Sequence, residues 1–141
     1  MIRFPAILRL CLLPVLAGIS STGLAQDTPP AGVPAVATEK PAPYDARLLR
    51  LSEIIGSVHY LRMLCKDENA DSWRQSMREL LDKEAGSEAQ RRARMTAAFN
   101  RGYRAFASVY TACTPPAVIA EQRYRAEGAT LASEIVARFG N

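Results

Sequence analysis

The chain has 141 residues, with 18 Lys and Arg against 14 Asp and Glu, one histidine and three cysteines. That length holds one folded domain with its own core and excludes a pair of them. A net charge of +4, which falls to +2 once Arg3 and Arg9 leave with the N-terminal segment, does not advertise nucleic-acid binding.

In chain order, residues 1–25 read as a signal peptide. Arg3 and Arg9 give a basic start, and the apolar run from Leu10 to Ile19 is shorter than the ~20 residues of a membrane span. Gly23 and Ala25 put small residues at the −3 and −1 positions, so cleavage is expected between Ala25 and Gln26. Cys11 lies in the apolar run without a lipidation context and would be discarded with it. Residues 26–43 (QDTPPAGVPAVATEKPAP) carry five prolines in 18 positions and no hydrophobic period, the composition of an extended linker. The helical domain is expected at 44–141.

Four helices follow from period and punctuation, at about 45–66, 72–85, 87–113 and 115–139. The first shows apolar residues at Leu48, Leu51, Ile54, Ile55, Val58, Leu61 and Cys65, the stripe of a one-sided helix, with Asp45 as N-cap or first-turn acid. DENAD (67–71) breaks it. Ser72 with Gln75 and Ser87 with Gln90 have capping-box spacing for the second and third helices, and Gly86 stands where helix two would stop. The third helix carries a seam of Phe99, Tyr103, Phe106, Tyr110 and Cys113. Thr114 caps the fourth, with Pro115 in its first turn, and Ala117, Ala120, Tyr124, Leu131, Ile135 and Phe139 line one face. No segment alternates with period two. The expected fold is all-α, a small antiparallel bundle of four helices with one disulfide.

FNRGYRAF (99–106) looks at first like the strand motif with which some domains stack RNA bases. Its aromatics are four and three apart, which puts them on one side only of a helix, and Arg104 stands where that motif wants Gly or Ala. No nucleic-acid partner is expected. Arg101 and Arg104 fall off the aromatic seam with Arg94, and Arg91, Arg94, Arg101 and Arg104 form a candidate anion-binding or interaction face; a solvated charged face is the plainer reading. Gly102 costs ~1 kcal/mol in a helix relative to Ala, which a close helix–helix approach beside the seam would offset.

With Cys11 removed, Cys65 and Cys113 remain. An exported protein with two cysteines is expected to join them. Both end helices that point the same way, and both lie on apolar faces, so the thiols would meet inside. Because a disulfide needs Cα atoms about 4.4–6.8 Å apart, helices one and three cannot be diagonal; helices one, three and four are expected to form the core with helix two alongside.

Arg62 falls in the middle of the first helix's apolar face and calls for a carboxylate: Glu121 first, Glu127 second, with an anionic ligand as the functional alternative. His59, without a second His or Cys at ligand spacing, reads as a packed imidazole and not a metal ligand. No nucleophile–base arrangement, phosphate loop, Cys-x-x-Cys or haem-attachment motif occurs, so neither catalysis nor a cofactor is expected.

HYLRMLC (59–65), WRQSMRELL (73–81), FNRGYRAFASVYTACTP (99–115) and RYRAEG (123–128) together resemble a family of small exported bacterial proteins of uncharacterised function. The resemblance spans 44–141. It implies an exported location and carries no activity, substrate or cofactor. The expectation is a periplasmic, non-catalytic interaction or structural module of the cell envelope with an unknown periplasmic or envelope protein as partner, and no stable membrane span after cleavage. The alternatives are a small carrier or sensor that binds an anionic or apolar ligand between helices, and a periplasmic stress chaperone.

Overall fold

A computed structural model describes residues 40–140. It consists of four helices, α1 (Asp45–Leu64), α2 (Ala70–Glu84), α3 (Ala89–Ala107) and α4 (Pro115–Phe139), with no strand among the described residues. The expected signal peptide, its expected Ala25–Gln26 cleavage point and most of the expected linker lie outside the described residues. Successive helices are antiparallel. Asp45 meets Arg91 at one end of α1 and Tyr60 meets Tyr103 toward the other, so α1 and α3 run the same way. Tyr44 against Phe139 and Arg62 against Glu121 set α4 antiparallel to α1.

The architecture differs from the expected core of helices one, three and four. Helix α1 is the centre, and α2, α3 and α4 each pack on it; α3 and α4 are not packed backbone to backbone, meeting through side chains such as Phe106 and Tyr124, whose rings stand edge to face at 4.9 Å. Every residue of α1 from Ile54 to Leu61 is buried, not one stripe of it. The sequence permits this because Glu53 is the only Asp, Glu, Lys or Arg between Leu51 and Leu61. Ser52 and Ser57 are buried too, each hydroxyl donating to the carbonyl one turn back, Leu48 O at 2.8 Å and Glu53 O at 2.9 Å. Satisfied inside their own helix, these serines pack as small residues.

Small size is what the α1–α3 crossing demands. A Cβ added at Gly102 would lie 1.9 Å from Glu53 O, and one at Gly56 would lie 2.0 Å from Phe99 O. The two helices thus approach backbone to backbone, each with a glycine at the crossing. The buried line of α3 is Arg91, Met95, Ala98 and Gly102. The expected aromatic seam flanks it one residue over: Phe99, Tyr103 and Phe106 are half-buried.

Helix ends correct three expectations. First, α3 stops at Ala107, short of Cys113. Ser108 Oγ donates to Ala105 O at 2.9 Å, Val109 N–H reaches only three residues back to Phe106 O, and Thr114, before Pro115, is extended. Second, neither capping box forms. Ser72 lies inside α2 and gives its hydroxyl to Asn69 O at 2.6 Å, while α3 starts after Glu88 with no side-chain cap. Third, α1 ends at Leu64 in a Schellman motif. Lys66 N–H donates to Met63 O at 3.1 Å and Asp67 N–H to Arg62 O at 2.9 Å, with Lys66 at φ 54°. Gly86 takes the same left-handed conformation after α2, at φ 48°.

A left-handed backbone costs a side-chain-bearing residue about 1–2 kcal/mol. Lys66→Gly is therefore expected to stabilise the protein by about 0.5–1 kcal/mol, the remainder being lost to the freer unfolded chain. Urea unfolding reads it directly. A drop in the midpoint would mean that the lysine side chain holds the turn more strongly than its backbone strains it.

Candidate functional site

The disulfide end of the bundle gathers four of the sequence-predicted residues, Cys65, Cys113, Arg62 and Glu121. Cys65 and Cys113 are bonded, with Cα atoms 4.9 Å apart. The bond joins the end of α1 to the segment between α3 and α4, not two helix interiors. Cys65 is half-buried and Cys113 exposed, so the sulfurs lie near the surface. The early end of α3 accounts for this, because the chain has left the apolar face before it reaches Cys113. The Tyr60 hydroxyl donates to Tyr110 O and pins the same segment.

One turn before Cys65, Arg62 Nε donates to Glu121 Oε1 at 2.8 Å. The guanidinium also lies 3.6 Å from Asp67 and over the Trp73 ring at 5.5 Å. With side-chain exposures of 20 % for Arg62 and 14 % for Glu121, the pair is partly desolvated and fastens α4 to α1. It borders a cavity of about 240 Å³ with Leu61, Cys65 and Val118. Glu127, the second choice for Arg62, instead takes Arg50 in a two-pronged pair, at 2.8 Å to Nε and 2.9 Å to an Nη. This hydrogen bonding holds the Arg50 guanidinium charged well above the usual arginine range.

His59 is buried. Its Nδ1 donates to Ala70 O at 3.0 Å, which fixes the tautomer and ties α1 to the start of α2; Nε2 has no hydrogen-bond partner among the described residues. The ring faces Phe99 and Tyr103 at 6.0 and 5.9 Å. It lines neither the cavity beside Arg62 nor the larger groove described below. Among the described residues, no three His, Cys, Asp or Glu side chains are grouped to hold a metal, and no helix is long and apolar enough to cross a membrane.

The four arginines of the expected α3 face divide. Arg91 does not belong to an exposed face: it is 7 % exposed, ion-paired to Asp45 at 2.9 Å and donating to Glu84 O at 3.0 Å. Its partner lies at the start of α1, far away in sequence. Arg94 is 40 % exposed with Asp45 at 3.9 Å. Arg101 and Arg104 are exposed, and among the described residues neither has an ion pair. Arg92, which the sequence reading passed over, bonds Asp82 at 2.9 Å. Helix α3 contains no acidic residue, and Ala93, Ala97 and Ala105 are exposed among its outer arginines. The result is a low, positively charged ridge that α4 does not cover.

A second surface escaped the sequence reading. Helices α2 and α4 flank α1 without backbone-to-backbone packing on each other, and between them runs an open groove of about 370 Å³. Its floor is Leu51, Ile54 and Ile55, and Trp73 and Leu80 form one wall. Gly128, Ala129 and Ala132 form the other. The signal was available in the run of small residues in α4, which cannot bridge the gap to α2.

The sequence model of one family, described as "Protein of unknown function (DUF2385)", matches residues 43–139. No curated protein and no solved structure matches significantly.

Proposed function

The chain belongs to this family of unknown function, and from that premise we propose that it is a non-catalytic helical interaction module of the cell envelope, exported to the periplasm, that docks an acidic protein surface on the outer face of α3. The observation that carries the reading is the acid-free composition of α3 together with the exposed, unpaired guanidiniums of Arg101 and Arg104. The three α3 arginines nearer α2 and α1 have acids beside them, Arg91 and, more loosely, Arg94 at Asp45 and Arg92 at Asp82. What remains outward, Arg101 and Arg104, has no ion-pair partner among the described residues. Rim charges of this kind raise association rates and select partners of opposite sign. The small residues between them let a partner helix or sheet come close. Export is supported by the character of residues 1–25 and by the disulfide, which persists in oxidising compartments.

The test is photocrosslinking from position 97, between the arginines, in the native cell. Capture of a defined acidic partner, weakened by Arg101→Glu with Arg104→Glu and by raised salt, is the expected result. Retention of the same crosslinks in the charge-reversed protein, or repeated capture of no protein at all, removes the reading.

A further inference from the structure

We infer that the groove between α2 and α4 is a binding site for a single-chain amphiphile with an anionic head group. Three observations carry this. The groove is apolar along its floor and both walls, and its volume of about 370 Å³ lies in the range of small-ligand sites. It stays open because α4 presents Gly128, Ala129 and Ala132 where larger side chains would close over Trp73 and Leu80. A Cβ at Gly128 would stand 3.0 Å from Ile54 Cγ2, so the glycine keeps α4 low against the floor while the alanines leave the space above it free. Apolar surface left uncovered in this way forgoes burial that a pair of leucines would supply.

The third observation fixes the head group. Arg125 is the one charged residue of the lining, and no acid lines the groove. Its ion partner among the described residues is weak: Glu121 Oε1 lies 3.5 Å away and already accepts from Arg62 at 2.8 Å, and the Arg125 side chain is 53 % exposed. A carboxylate or phosphate at the groove mouth would give this guanidinium a two-pronged partner that Glu121 does not. An apolar chain then lies along Leu51, Ile54 and Ile55. The site is separate from the α3 ridge, so each reading stands or falls alone.

Trp73, the only tryptophan of the chain, forms part of the wall and reports occupancy without a label. Titrating the oxidised protein with dodecanoate is expected to change Trp73 emission saturably, with a dissociation constant on the order of 10–100 μM for a ligand of this size. Dodecylammonium should bind about tenfold more weakly, and Arg125→Ala should bring the two probes level. Ala132→Leu, and independently Ala129→Leu, should weaken dodecanoate at least tenfold while the circular-dichroism melt is unchanged or raised. Lysophosphatidic acid in place of dodecanoate tells a phosphate head from a carboxylate, and tighter binding of either sustains the proposal. It is overturned if dodecanoate gives no saturable change, if dodecanoate and dodecylammonium bind alike to the unaltered protein, or if the leucine variants bind as the parent does. A protein-concentration-dependent shift of Trp73 without ligand, lost in Ala132→Leu, would also overturn it by making a second copy of the chain the occupant.

Discussion

Replacing Gly102 with alanine is expected to lower the melting temperature by about 15 °C, although alanine is the better helix former. Propensity alone would favour the change by ~1 kcal/mol. Against it stands the carbonyl of Glu53, 1.9 Å from the new methyl, with Ser57 Oγ at 2.7 Å. Neither is the free end of a long side chain. The carbonyl belongs to the α1 backbone, and Ser57 is held in the buried heart of that helix. Relief therefore requires α1 and α3 to part by roughly 1 Å, which loosens the contacts of Met95 and Ala98 on α3 along the same line. Overpacking of this kind costs about 3 kcal/mol net of the propensity gain, which for a domain of about 100 residues corresponds to the shift stated. Gly56→Ala, which meets Phe99 O at 2.0 Å, is expected to behave alike. Thermal unfolding followed at 222 nm decides the matter; a melting point within about 2 °C of the parent would show that the helices do not meet this closely in solution.

Loss of the disulfide is the larger effect. Closing a loop of 48 residues stabilises the folded state by about 4 kcal/mol on the chain-entropy account, a large share of the ~5–15 kcal/mol of a typical domain. Cys65→Ser with Cys113→Ser should melt about 20 °C lower than the oxidised parent. Because Cys113 is exposed, dithiothreitol should reach the bond in the folded protein and reproduce the variant's melting point without prior denaturation. If reduction needs denaturant, or if the double variant melts with the parent, the bond is neither accessible nor a principal clamp.

Much of the fold was legible because its signals are local or few. Thr114-Pro115 marks the start of α4 by chain chemistry alone, and two cysteines outside the N-terminal apolar run leave one pairing. What was not legible depends on distant partners. Arg91 reads as one more charge on a basic helix, and only the fold brings Asp45 to it. The stripe on α1 understated its burial because Ser52 and Ser57 look polar until their own backbone satisfies them. The aromatic period of α3 runs on through Tyr110 and Cys113 although the helix does not; the stacking of Phe106 on Tyr110, rings 6.0 Å apart, survives the change of backbone. The α2–α4 groove was missed for the opposite reason. It is made by side chains that are absent, and small residues on a helix leave no periodic mark.

The arrangement of three helices around one has a kinetic corollary. Since α4 rests on α1 and hardly on α3 or α2, it can lift away as a unit while the glycine crossing persists, still tethered next to Cys113. Amide protons in α4 should then exchange with solvent through this partial opening, and those of α1 only when the whole molecule unfolds. The order of protection would trace a hub with detachable spokes, where a ring of mutually supporting helices would open all at once.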